Sequence, residues 1–191
     1  MYNAALLAKD LAAEKLLGVK IEVLSATTAA AGLGLVVLAA ARAAEAGAGL
    51  AEVSMLAQRL MDRVYLFASL DTLYYLIKGG RIPKVAQLAE SVFQIKPVFT
   101  VNGGDAHTVA LPRTMENAMR RILRLMAVRV RPGKALHVAV MHADALERAE
   151  KLRAQIVSRF KPVEIFITEF TPVMGVHTGP GVIGAAFYSE E

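Results

Sequence analysis

Between residues 4 and 63 the sequence offers three helical runs but a single strand, and that imbalance limits what this part of the chain can build. Residues 4–17 form an alanine- and leucine-rich helical run with Gly18 as its C-terminal stop. Residues 19–24 alternate as a strand, and helical runs over 34–46, closed by Gly47, and over 50–63 follow. Helix and strand in this order suit a parallel sheet covered by helices. One strand has no partner to pair with, so residues 1–63 read as the C-terminal part of a larger α/β domain. Such a remnant exposes an unpaired edge and an uncovered apolar face, and self-association is the expected consequence.

The pattern changes after Arg63. Residues 64–69 read as a strand, and two short helices are expected over 71–78 and 84–93. The β runs 97–101 and 106–111 flank Asn102-Gly103-Gly104-Asp105, a hairpin signal because asparagine and glycine accept positive φ. A helix over 114–128, a strand over 135–141, a helix capped by Asp144 and running to about 160, and strands over 163–170 and 182–188 complete an α+β unit of five or six strands. The expected fold class is α/β, α+β in its second half, divided into domains 1–63 and 64–191.

Composition narrows the function classes. The chain has 191 residues, 55% hydrophobic and only 20% charged, which excludes disorder over most of its length. It has no cysteine, so a disulfide scaffold, a thiolate zinc site and a cysteine nucleophile are excluded. No signal-peptide pattern follows Met1, and a cytoplasmic protein is the expectation. Residues 23–41 are uncharged but rich in alanine and glycine, which fits a strand end, a polar loop and a buried helix better than a membrane span.

Several chemistry-bearing residues have plain structural readings. Gly32-Leu33-Gly34 lacks the third glycine of a dinucleotide turn, and close helix–sheet packing explains it. His137 and His142 are spaced to opposite faces of one strand and do not share a metal. Glu147 and Lys151 form a helical i, i+4 pair, and Glu164 and Glu169 are expected in solvent. Three stretches stand above this level. Lys78-Gly79-Gly80-Arg81-Ile82 places an arginine fork beside close-approach glycines, suited to carboxylate or phosphate. His177-Thr178-Gly179-Pro180-Gly181 forms a glycine-rich loop with donors to aim at an anion. Along the expected 114–128 helix, Met115, Ala118, Met119, Ile122 and Met126 share one face, while Arg113, Asn117, Arg120, Arg121 and Arg124 take the other.

Taken together these motifs resemble the DegV family of fatty-acid-binding proteins. The likeness rests on Leu70-Asp71-Thr72-Leu73-Tyr74-Tyr75-Leu76-Ile77-Lys78-Gly79-Gly80-Arg81-Ile82, on Ile95-Lys96-Pro97-Val98-Phe99-Thr100-Val101 before the glycine turn, on Arg113, on Val140-Met141-His142-Ala143-Asp144 and on His177-Thr178-Gly179-Pro180-Gly181. The resemblance implies a fold of two α/β domains holding a long-chain fatty acid between them, with the acyl carboxylate presented to a fatty-acid kinase subunit. It assigns ligand binding to Gly80, Arg81, His177, Thr178, Gly179 and Gly181, and the acyl pocket to Ile82, Leu88, Val92, Phe93 and Ile95. The one-sign basic face, rather than the resemblance, suggests partner binding at Arg113, Arg120 and Arg124.

The sequence departs from the family in its first domain. The Asp-Ser-Thr strand, the Thr-Ser-Gln-Pro-Ser loop and the Ser-Gly-Thr turn are missing, and Ser25-Ala26 stands where relatives carry an acid. The expected protein is thus a DegV-like carrier with its first domain truncated, binding fatty acid more weakly than an intact relative. No catalytic residue, cofactor or metal is implied, because no P-loop or acidic metal cluster appears. The alternatives are a basic interaction module for nucleic acid or an acidic protein, built on residues 113–134, or a remnant that binds no ligand. Nucleic acid is the less expected partner, because no aromatic side chain interleaves those arginines.

Overall fold

The computed structural model of the protein describes residues 2–79 and 95–191. In chain order the elements are α1 (Tyr2–Lys15), α2 (Ala30–Glu45), α3 (Leu50–Met61), β1 (Tyr65–Ser69), α4 (Tyr74–Lys78), β2 (Val98–Asn102), β3 (Asp105–Ala110), α5 (Met115–Arg129), β4 (Leu136–His142), α6 (Leu146–Phe160), β5 (Glu164–Glu169), α7 (Pro172–Thr178) and β6 (Ile183–Ser189). The helix expected over 84–93 lies outside the described residues.

Six strands form one sheet in the order β3-β2-β1-β6-β4-β5. All neighbours are antiparallel except β4 and β5, which α6 connects as a parallel crossover. The expected hairpin forms as read. Asn102 pairs with Asp105 around Gly103 and Gly104, whose φ values of 61° and 86° are those of a two-residue turn that glycine accepts without strain.

Strand alternation sends side chains to two helix layers. Phe67, Val140, Ile183 and Phe187 meet the apolar stripe of α5 (Met115, Ala118, Met119, Ile122 and Met126) together with Leu152 and Ile156 of α6. Thr114 caps α5, its hydroxyl accepting from the Asn117 N–H at 3.2 Å. On the opposite face Leu66, Met141, Ala186 and Tyr188 meet Leu35 and Val36 of α2 and Leu60 and Met61 of α3. Each large side chain so buried contributes roughly 1.5–3 kcal/mol. Gly32 packs α2 onto this face: a Cβ there would collide with Thr28 Oγ1 and touch Val64 and Leu66 at 3.4 and 3.5 Å. The boundary expected at 63/64 therefore falls between elements that share one hydrophobic cluster.

Four local readings are corrected. Residues 19–24 form no ladder, because no strand among the described residues offers them backbone partners. Asp144 does not cap α6. It sits at φ 48° and Ala145 holds the cap position, its N–H donating to His142 Nδ1 at 3.3 Å. The loop expected before Gly179 winds into α7. Glu164 is not left to solvent but bonds to Arg42 and His137. Among the described residues no helix is long and apolar enough to cross a membrane.

Candidate functional site

The α2–α3 layer covers β4, β6 and part of β1, and among the described residues it leaves the β1–β2–β3 half of the same face uncovered. That half forms the floor of a cavity of about 930 Å³, built from Leu66, Ala68, Leu70, Phe99 and Val101. Ala29, the cap of α2, and Ala30, its first residue, stand on one side, and Met174, His177 and Thr178 of α7 on another. His107 and Thr108 line its β3 end. The lining is mostly aliphatic and aromatic with a few polar side chains, among them His107, Thr108, His177 and Thr178, the composition expected of a site for an apolar ligand with a polar end.

The helix α7 is placed by its ends. Thr171-Pro172 opens it, proline sitting at the first helical turn where its missing N–H costs nothing. Gly179, at φ 74°, closes it with its N–H donated to the Gly175 carbonyl at 2.7 Å. Gly179 lies flat against the Tyr75 ring, so closely that a Cβ would overlap it, and Gly181 lies against Asp71, whose Cβ would be 2.7 Å from an added methyl. These two approaches hold the end of α7 and the loop after it against α4 and the loop before it. They bring His177 beside Gly79, where an added Cβ would stand 3.0 Å from His177 Nδ1 and 3.1 Å from the Tyr75 carbonyl. His177 Nδ1 is buried and has no hydrogen-bond partner among the described residues.

The geometry revises the expected donor set. The Gly181 N–H is donated to the Ala143 carbonyl at 2.7 Å and the Gly179 N–H to Gly175, so neither amide is open to an anion. The Thr178 hydroxyl donates to the Met174 carbonyl at 3.0 Å, and only its lone pairs face outward. The glycines serve close packing, and the imidazole keeps polar capacity to spare. Gly80, Arg81, Ile82, Leu88, Val92 and Phe93 lie outside the described residues. Ile95 packs behind the cavity, in a cluster with Leu70, Leu73, Phe99 and Val182.

Reasoning from sequence missed the cavity floor. Alternation marks Leu66, Ala68 and Val101 as facing one side of the sheet but does not say which strands the helices leave bare. It also missed α7, for which the Thr171-Pro172 start was the available signal. A second cluster orders the loop below α4. Lys96 Nζ donates to the Asp71 carbonyl at 2.6 Å and pairs with its carboxylate at 3.0 Å, and Arg148 reaches the same carboxylate at 3.5 Å. Among the described residues no group of three His, Cys, Asp or Glu side chains comes together to hold a metal.

Arg113, Arg120, Arg121 and Arg124 are exposed, and the last three surround a hollow of about 320 Å³ with Asn117 and Pro112. Because α5 packs on Phe67 while the cavity uses Leu66 and Ala68, this basic face and the cavity lie on opposite sides of β1.

A family model described as "Uncharacterised protein, DegV family" matches residues 1–190. The chain belongs to the DegV family. It is 34% identical over 190 residues to a DegV domain-containing protein of Clostridium acetobutylicum, covering 100% of this chain and 66% of that one. To a DegV domain-containing protein of Streptomyces coelicolor it is 32% identical over 172 residues, 90% of this chain and 61% of the relative. The chain thus spans just under two thirds of the length of these relatives. Among solved structures, a fatty-acid-binding DegV family protein from Thermus thermophilus superposes with a TM-score of 0.84 at 28% identity, covering 96% of this chain and 66% of the other. A DegV family protein from Ruminococcus gnavus, refined with vaccenic acid, gives a TM-score of 0.87 over 97% of this chain and 66% of its own length, and at 24% identity this likeness bears on fold alone. The mixed α/β fold expected from the motifs is the DegV fold.

Proposed function

We propose that this chain binds a long-chain fatty acid in the cavity on the open half of the sheet, with the carboxylate at the His177 rim, and acts as a carrier rather than a catalyst. The observation that carries this reading is His177 on the wall of a mostly apolar cavity of about 930 Å³, its buried Nδ1 finding no hydrogen-bond partner among the described residues. A carboxylate entering apolar surroundings must keep hydrogen bonds or lose several kcal/mol. His177 supplies one donor, and Arg81, on the run that begins at Gly79 beside it, supplies the fork. The acyl chain lies along Leu66, Ala68 and Val101. The fatty-acid binding of the Thermus thermophilus relative supports the ligand class.

The carboxylate is then presented to a fatty-acid kinase in the cytoplasm, which supplies the nucleotide chemistry. Arg113, Arg120 and Arg124 form the surface for this or another acidic partner. Because that surface is on the far side of β1 from the cavity, the partner must reach around an end or edge of the sheet to meet the carboxylate. Charge reversal at the three arginines is expected to slow association and flatten its salt dependence while leaving fatty-acid retention intact.

Native mass spectrometry of the delipidated chain, refilled with palmitic or stearic acid, tests the ligand. One acid per chain is expected, and loss of retention in the Arg81→Ala, His177→Ala double variant. Equal retention by wild type and double variant would remove these residues from the carboxylate site, and no retention by either would leave a remnant without ligand.

A further inference from the structure

At the end of the sheet far from the cavity, His137 at the start of β4 holds a carboxylate on each ring nitrogen. Its Nδ1 lies 2.8 Å from Glu164 Oε2 on β5, and its Nε2 lies 3.0 Å from Glu190 Oε1, just after β6. The ring is stacked on Tyr188 at 4.7 Å and 9°. Glu164 also receives both guanidinium arms of Arg42 on α2, at 2.5 and 2.8 Å. On the α3 side Arg63 donates to Glu191 at 2.6 Å and to the Ser189 carbonyl at 2.8 Å, and Arg59 lines the same hollow of about 330 Å³. These are the charged and titratable groups facing the ring from α2, α3, β5 and the end of β6.

A neutral imidazole carries one N–H and serves one carboxylate, while an imidazolium serves two. We infer that His137 is a proton-operated clasp, fastening the Glu190 side chain to the sheet while both ring nitrogens carry protons and releasing it when one proton leaves. The release is one-sided. Glu164 is anchored independently by Arg42, whereas the Glu190 side chain is 57% exposed and held on this side by the ring. The proton therefore leaves Nε2, and Nδ1–H stays on Glu164. Neither neighbour masks the change. The Arg42 and His137 hydrogen bonds hold Glu164 down to about 2, and burial, aided by Glu190 and Glu164, pushes the Tyr188 phenol above its usual value.

The backbone gives a direct readout, because the Glu190 N–H donates to the Ala135 carbonyl at 2.9 Å. In the full chain, the protonation of the His137 ring is followed by nitrogen-15 NMR from about pH 5 to about pH 9, alongside amide exchange at Glu190 and in α2. The expected result is that protection at Glu190, corrected for intrinsic exchange, falls about tenfold as the ring loses its Nε2 proton, with protection near Arg42 unchanged. In Glu190→Gln the side-chain amide accepts from a protonated nitrogen or donates to a bare one, so the protection should lose its pH dependence. A ring that titrates with no change at Glu190, or a Glu190→Gln variant that keeps the wild-type profile, would overturn the inference.

Discussion

Gly79 and His177 meet beside the cavity so closely that a Cβ on Gly79 would stand 3.0 Å from His177 Nδ1, tight enough that the imidazole must give by a few tenths of an ångström. The same Cβ would stand 3.1 Å from the Tyr75 carbonyl, which accepts the Gly79 N–H at 2.8 Å and so holds the backbone in place. Gly79→Ala should therefore rotate the imidazole at a stability cost of about 1 kcal/mol. Palmitate retention should fall several-fold more than stability does. Retention that follows the urea midpoint alone would mean that the imidazole position is immaterial.

The approach of Gly179 to the Tyr75 ring makes a harsher test of packing. Gly179→Ala adds a methyl where the ring already lies, on a backbone at φ 74° that side chains rarely adopt. A loss of about 2–4 kcal/mol is expected in chemical denaturation. In the Tyr75→Ala background the same substitution should cost only its backbone share, about 1 kcal/mol. Equal costs in both backgrounds would show that the ring is not the obstacle.

What the sequence disclosed was local. The apolar stripe of α5 could be read because Met115, Ala118, Met119, Ile122 and Met126 repeat at helical spacing, and all five are buried. The Gly103-Gly104 hairpin was equally legible, since its chemistry lies in the turn itself. Residues 19–24 misled because alternation reports a half-buried surface and says nothing about a pairing partner. Glu164 misled for a related reason: its partner Arg42 lies far away in sequence, on a helix whose docking depends on the whole sheet. The cavity was hidden because it is defined by what α2 and α3 fail to cover. Near His177 the glycine-rich sequence suggests free amides, but the Gly179 and Gly181 N–H groups are already donated to the Gly175 and Ala143 carbonyls.

Glu164 gives a pH test with a definite sign. Arg42, and next His137, hold its carboxyl at about 2, below the usual 4.5. Its stabilising contribution is therefore fully present above about 4.5 and disappears as the pH falls towards 2. Glu164→Gln should lower stability by about 1 kcal/mol at neutral pH, allowing for solvent screening of a partly exposed pair. The gap from wild type should close on acidification, and a difference that stays constant down to pH ~2 would contradict the assignment.

The first helix predicts association. No residue of α1 is buried: Leu7 and Leu11 are 62% and 55% exposed, and Leu17, just beyond the helix, is 89% exposed. Sedimentation velocity should show self-association that a Leu7→Gln, Leu11→Gln, Leu17→Gln variant relieves. A wild-type monomer at high concentration would show that this face does not bind a second copy.

The central claim is that a fatty-acid carboxylate sits at His177. Carbon-13 NMR of carboxyl-labelled palmitate bound to the full chain addresses it at the atom concerned. The account predicts a bound carboxyl resonance distinct from free palmitate, shifted by His177→Gln and unmoved by Arg120→Gln on the far side of the sheet. A bound resonance indifferent to His177→Gln, or no bound resonance at all, would contradict it.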